Sequence, residues 1–410
     1  MKDRGFGQVV ITKKGEASVV GGHPWIYDTE VTPQGTLEDG AIVEVLSQKG
    51  RWLGAGFYNS HSKIRVRLLS RNANDTFDAA FFRRRLQYAW AYRKAVLAPQ
   101  ELSCCRVVFG EADQLPGLTV DRFSNILVTQ TLSLGMEQRK GVLFQALYDV
   151  LTADGQTIDG IYERNDVAIR EREGMAEGTG FFPLTGVPEP AVTETEILEN
   201  GLRYRVDFAK GQKTGFFLDQ KYNRLAVQKL CKGARVLDCF THTGSFALNA
   251  GIAGAQSVIG VDASELAVEQ ATANARLNGL ENKVKFICED VFELLPRLEE
   301  EGERFDVVIL DPPAFTKSRS SVKNAVKGYR EINLRAMRLV KDGGFLATCS
   351  CSHFMTYELF TKTIGQAARN VHKRLRQVEY RTQAPDHPIL WSSDESYYLK
   401  FYIFQVCSER

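Results

Sequence analysis

Five short, continuous apolar runs constrain this chain more than any other feature. They cover residues 235–240, 257–262, 284–288, 305–310 and 344–349, and the sequence between them alternates strand with helix. Runs of this length without polar alternation suit strands buried on both faces. Strands alternating with helices predict a doubly wound parallel sheet from about residue 191 onward. Ser264 is placed to cap a helix that Gly279 ends. Two later runs, near 375–382 and 397–406, predict an antiparallel hairpin on the sheet edge, with Trp391 and Tyr397-Tyr398 packed beside it.

The first half of the chain reads differently. Residues 1–72 carry short alternating stretches punctuated by glycines, the pattern of a small all-β barrel. Phe77, Phe81, Leu86 and Trp90 predict a helix over 76–98. Strands are expected at 105–109 and 125–132, joined by a turn-rich segment from Gly110 to Asp121. A helix near 136–151 and strands near 157–163 and 166–170 follow. The Gly- and Pro-rich stretch from Arg172 to Pro190 reads as a linker. Three domains are therefore expected, at 1–72, 73–185 and 186–410.

Charge separates the parts further. Residues 1–95 hold 15 basic against 9 acidic residues, whereas the remainder holds 37 against 41. Lys63, Arg65, Arg67, Arg71 and Arg83 to Arg85 make the local excess, which suits phosphate contact or a solvated face. No apolar run is long enough to span a bilayer, and the first residues lack a signal-peptide core, so a cytoplasmic address is expected. The eight cysteines show no Cys-x-x-Cys spacing, which argues against a zinc site and fits reduced thiols; no metal is expected.

Chemistry gathers at the C-terminal ends of the five apolar runs, the edge where open parallel sheets bind ligands. The loop from Asp238 through Phe240 to Gly244 lacks the Gly-x-Gly-x-x-Gly pattern of nicotinamide enzymes. Gly244 and the helix after it allow close approach of a ligand to the backbone. Asp262 is placed for a ribose diol and Asp290 for an adenine amino group, although each acid could instead cap a helix or turn. Asp311-Pro312-Pro313-Ala314-Phe315 forms a rigid turn whose carboxylate can bond the amino edge of a base while Phe315 stacks. Cys349 and Cys351, two apart, are expected on one strand face with Cys351 close to Asp311. A thiolate there can add to C6 of cytosine and make C5 nucleophilic. The pattern reads as a methyltransferase that uses S-adenosylmethionine.

The whole chain resembles the RlmI-type cytosine-5 methyltransferases of large-subunit ribosomal RNA, and its C-terminal part resembles class I methyltransferases. The resemblance rests on His23-Pro24-Trp25, Gly110-Glu111-Ala112-Asp113, Leu115-Pro116-Gly117, the segment Lys213 to Gln220, Gly328 to Asn333, Asp386-His387-Pro388 and Tyr398-Leu399-Lys400. It implies an N-terminal PUA RNA-binding domain, a small central α+β domain and a Rossmann-like methyltransferase domain. It also implies ribosomal RNA as partner and a segment containing Lys213, Thr214, Phe217, Asp219 and Gln220 lying against the cofactor. The family nucleophile sits in Ser-Cys-Ser, which maps onto Ser350-Cys351-Ser352; Thr348-Cys349-Ser350 resembles the nucleophile motif of another RNA cytosine-5 group. A homodimer is compatible with the resemblance, though no interface is marked. Two other readings stay open: an amino-directed methyltransferase acting on guanine or adenine, and a non-catalytic RNA-binding or ribosome-assembly protein.

Overall fold

The computed structural model describes residues 4–33, 35–316 and 318–409. The chain forms two compact units: Met1–Ile197 with Val206–Leu218 and Pro385–Ser396, and Leu198–Arg205 with Asp219–Ala384 and Tyr397–Arg410.

In the first unit, β1 (Gly7–Ile11), β2 (Trp25–Tyr27), β3 (Ile42–Ser47), β4 (Trp52–Tyr58) and β5 (Ile64–Ser70) form one sheet in the order β1-β3-β4-β5-β2. Alternate residues such as Val9, Ile11, Val43 and Val45 bury one face in a shared cluster. Residues 1–72, expected to be all-β, also hold a helix, α1 (Lys13–Val20), after β1. Its polar sequence shows little periodicity, and its clearest signal is Thr12, whose hydroxyl accepts from the Gly15 amide. Helix α2 (Ala79–Val96) starts at Asp78, which accepts from the Phe81 amide, and buries Phe81, Leu86 and Trp90.

A second sheet runs β10-β9-β8-β7-β6, from β6 (Cys104–Phe109), β7 (Leu118–Phe123), β8 (Ile126–Thr131), β9 (Gly160–Arg164) and β10 (Thr179–Phe182). Helices α3 (Leu134–Glu137), α4 (Lys140–Ala153) and α5 (Ile169–Arg172) accompany it. Three expectations need correction here. Strand β7 lies at the end of the segment read as turns, and charge hid it: Asp121 is buried within it against Arg106 at 2.7 Å. Residues 166–170 form no strand, and α5 begins there. The stretch read as a linker contains β10, paired antiparallel with β9.

A hairpin of β11 (Glu194–Glu199) and β12 (Leu202–Asp207) precedes α6 (Lys221–Gln228). The second unit is then built on β13 (Arg235–Cys239), β14 (Ser257–Asp262), β15 (Val284–Cys288), β16 (Phe305–Leu310), β17 (Val340–Ser350), β18 (Lys373–Arg381) and β19 (Lys400–Ser408). Their order is β15-β14-β13-β16-β17-β19-β18. Pairing is parallel from β15 to β17 and antiparallel where β19 joins β17 and β18. Helices α7 (Ser245–Ile252), α8 (Glu265–Leu277), α9 (Val291–Glu300), α10 (Val322–Leu339) and α11 (Tyr357–Asn370) cover the sheet. Ser264 caps α8, and Gly279 follows it at φ +66°. The chain winds outward from β13 to β15, then returns to place β16 on the other side of β13. That reversal is a topological switch point, where a crevice opens beyond the strand ends. Trp391 does not pack as expected: it is 96 % exposed.

Candidate active site

Strand register brings three loops to one edge of the second unit. Cys239 pairs with Leu310, and Leu310 with Thr348, so the segments after β13, β16 and β17 emerge side by side. Asp238, one residue before the end of β13, is fully buried. Its Oδ2 accepts from the Thr241 hydroxyl at 2.5 Å and from the Ala247 amide at 3.0 Å. Its buried Oδ1 has no hydrogen-bond partner. Burial pushes this carboxyl up to about 7; the two hydrogen bonds oppose the shift, and the charges of Asp311 and Asp262 add to it.

The loop from Asp238 to Gly244 is wound tightly, with Phe240, His242 and Gly244 at φ of 64°, 51° and 82°. Left-handed residues of this kind cluster at ligand sites. Gly244 is also required by packing. A β-carbon there would sit 2.7 Å from the Phe286 ring, so the missing side chain makes room for that ring. Asp262 steadies the same loop: Oδ2 accepts from the His242 amide and Oδ1 from the Ser264 amide, both at 3.0 Å. Asp290 is exposed and caps α9 through the Phe292 amide at 2.8 Å. Each carboxylate oxygen retains acceptor capacity beyond one amide, so capping and ligand binding are compatible.

Asp311 stands at the switch point beyond β16. Its Oδ1 accepts from Gln220 Nε2 at 3.0 Å and from the Cys349 thiol at 2.8 Å. Asn223 orients that amide by donating to Gln220 Oε1 at 2.6 Å, and Tyr398 donates to Asp219 Oδ2 at 2.7 Å. Burial pushes Asp311 up to about 6; the Cys349 hydrogen bond pulls it back, and the charge of Asp219 adds to the rise. An aromatic wall lies nearby, with the Phe240 and Phe315 rings 6.3 Å apart and Phe315 4.6 Å from Tyr329.

The two cysteines occupy different environments, which corrects the expectation that they share one strand face; Cys351 still lies near the Asp311 turn, against Pro312. Ladder pairing ends at Ser350, opposite Lys400, so Cys351 lies past the strand. Cys349 is the residue bonded to Asp311. It is fully buried, and desolvation together with the adjacent carboxylate pushes its thiol well above the ordinary range. Cys351 is partly exposed, with its sulfur 3.9 Å from the Pro312 carbonyl. Ser350 donates to Tyr329 at 3.0 Å, and Ser352 donates to the Thr316 carbonyl at 2.7 Å, which fixes the segment on both sides of it.

Asp219, Gln220, Asp238, Phe240, Gly244, Asp262, Asp290, Asp311 and Cys351 all belong to the second unit. Lys213, Thr214 and Phe217 belong to the first. There the Lys213 ammonium lies 4.7 Å from the Phe217 ring centre, and the Thr214 hydroxyl donates to buried Asp121 at 2.6 Å. Sequence reasoning missed Thr241, Asn223 and the thiol-to-carboxylate bond of Cys349. Of these, only Thr241 had a signal, its place within the loop after β13.

Comparison with known proteins adds the following. A family described as S-adenosylmethionine-dependent methyltransferase matches residues 184–402, and a PUA-like domain family matches residues 9–71. Ribosomal RNA large subunit methyltransferase I of Klebsiella pneumoniae (strain 342) is 38% identical over 408 residues, 99% of this chain and 100% of that protein. Its namesake from Escherichia coli (strain SMS-3-5 / SECEC) is 39% identical over 401 residues, 97% of this chain and 99% of its own length. A methyltransferase structure from Streptococcus mutans aligns with a TM-score of 0.82 at 20% identity, covering 97% of this chain and all of its own. Another methyltransferase, solved with SAH, aligns at 0.83 with the same identity and coverage.

Proposed function

The chain belongs to the S-adenosylmethionine-dependent methyltransferases of the ribosomal RNA large subunit methyltransferase I type, with a PUA-like domain, and on that premise we propose that it methylates C5 of a cytosine in large-subunit ribosomal RNA through a Cys351 thiolate. The observation that carries this choice is the division of labour between the cysteines. Cys349 is buried, held as a neutral thiol and committed to Asp311, whereas Cys351 sits partly exposed at the end of the strand.

The residues present fit the cofactor. Buried Asp238 Oδ1 and the Thr243 hydroxyl both lack partners, so acceptor capacity is left over in the loop after β13. Phe240, Gly244, Asp262 and Asp290 would line the pocket with Asp238, and Asp219 and Gln220 would lie beside it. Bound S-adenosylmethionine supplies a methyl group made electrophilic by a positively charged sulfur. Asp311, with its pKa near 6, can hold the amino and N3 edge of the base and favour protonation at N3. Cys351 adds to C6, and the displaced electron pair makes C5 nucleophilic. Once C5 carries the methyl group, a base, water at its simplest, takes the C5 proton; the freed pair restores the C5–C6 double bond as the C6–sulfur bond breaks and the sulfur leaves as thiolate.

Two expected outcomes follow from the acids. Asp262→Ala should weaken cofactor binding by roughly 10- to 100-fold in calorimetry, the range for a hydrogen bond to a charged acceptor. Unchanged affinity would remove Asp262 from the pocket. Asp238 and Asp311 are both raised, to about 7 and about 6, so each is partly protonated at mildly acidic pH. A cationic ligand favours their ionised forms, so cofactor affinity should rise as pH climbs from 5.5 to 7.5, by roughly three- to tenfold. A flat profile would contradict it.

The reaction itself is tested with labelled S-adenosylmethionine and unmodified large-subunit rRNA, followed by digestion and mass spectrometry of the nucleosides. 5-Methylcytidine is the expected product. A methylated guanosine or adenosine would overturn the thiolate mechanism.

A further inference from the structure

Among the buried charges that the mechanism above does not use, Lys400 lies nearest the cysteines in its hydrogen bonding. Lys400 opens β19 and is only 1 % exposed. Its ammonium donates to the Ser352 carbonyl at 2.6 Å and to the Tyr398 carbonyl at 2.8 Å. Both acceptors are neutral, and no carboxylate contributes to its electrostatic balance among the described residues. Burial lowers its pKa to about 8, and the two cysteines oppose that shift. A buried cation without a counter-anion is costly, and proteins seldom retain one unless something compensates it.

The groups facing this position narrow the choice of anion. From β17 come Cys349 and Ser350; from the segment beyond it come Cys351 and Ser352. Tyr329 reaches in from α10 to accept from Ser350. Asp311, just beyond β16, takes Gln220 and the Cys349 thiol on its Oδ1 and is not among the charges acting on Lys400. On the approach to β19, Tyr398 directs its hydroxyl to Asp219. Cys349 is held as a thiol and Tyr329 is pushed up well beyond the ordinary phenol range. Cys349 and Cys351 are the acids that act on Lys400, and with Cys349 held as a thiol Cys351 is left, one residue before the carbonyl that the ammonium grips.

We propose that Lys400 is a positioning residue for Cys351: its ammonium pins the Cys351-Ser352 backbone at the end of β17 and holds the Cys351 side chain as a thiolate. The thiol proton passes to solvent, Lys400 keeps all three of its own, and no covalent bond changes. The functional consequence rests on the reading of Cys351 as nucleophile; the electrostatic pairing does not.

The test alkylates the full-length protein with iodoacetamide across pH and reads each cysteine separately by peptide mass spectrometry. In the unaltered protein, Cys351 should reach half-maximal rate at a lower pH than the exposed Cys288 thiol in the same digest. Equal or later onset would overturn the pairing without any variant. In Lys400→Met, the Cys351 profile should move up by about one pH unit or more, the effect of removing a neighbouring positive charge. Lys400→Arg should restore it, and the acidic limb of the methyl-transfer profile should move in parallel. An unmoved Cys351 profile in folded Lys400→Met sinks the inference. Retained turnover in Cys351→Ala would instead sink the nucleophile assignment and leave the alkylation result intact.

Discussion

Replacing Cys351 by alanine is expected to reduce methyl transfer by on the order of 10⁴-fold or more, because loss of a covalent nucleophile removes the step that activates the base. Cofactor binding should stay within about twofold of the unaltered protein, since Cys351 lies beyond β17 while the acidic loops follow β13, β14 and β15. Cys349→Ala makes the informative comparison. That change deprives Asp311 of its 2.8 Å thiol donor but leaves Gln220 in place, so activity should fall by only roughly tenfold. RNA bearing 5-fluorocytosine should trap a covalent adduct with the unaltered protein and with Cys349→Ala, and none with Cys351→Ala. A full adduct with Cys351→Ala and none with Cys349→Ala would move the nucleophile two residues upstream.

The parallel sheet was legible because its strands are buried on both faces and so leave unbroken apolar runs. The acids at the strand ends were legible for a related reason: a polar residue closing such a run marks where the strand reaches the crevice. What escaped notice depends on partners distant in sequence. Strand β7 escaped because Asp121 and Arg122 are buried within it, with Arg106 neutralising Asp121, and charges read locally as turn. Gly244 is legible as a position of close approach, but the Phe286 ring of β15 packed against it is not. The separation of Cys349 from Cys351 was hidden because β19, the last strand, decides where β17 stops pairing. Lys400 was visible within the Tyr398-Leu399-Lys400 match, yet only its burial gives the charge a meaning.

The largest stability effect is expected away from the chemistry, at Glu199. Its carboxylate binds Arg224 through two bonds, Nε to Oε1 at 2.7 Å and Nη2 to Oε2 at 3.2 Å, with side-chain exposures of 0 % and 1 %. The pair joins β11 to α6. Arg224 also donates to the Ser245 hydroxyl at 3.2 Å, at the start of the helix that follows the Asp238–Gly244 loop. Glu199→Gln deprives a buried guanidinium of its bidentate carboxylate, so unfolding free energy should fall by about 3–5 kcal/mol in urea titration. Replacing both partners, as Glu199→Leu with Arg224→Met, should recover most of that loss, because a packed apolar pair needs no counter-charge. The double variant still lacks the bond to Ser245, so its cofactor affinity should remain below that of the unaltered protein even after stability returns. If stability and affinity recover together, the ion pair holds the fold alone; if Glu199→Gln costs less than about 1 kcal/mol, water reaches the pair and its burial is not what fixes α7.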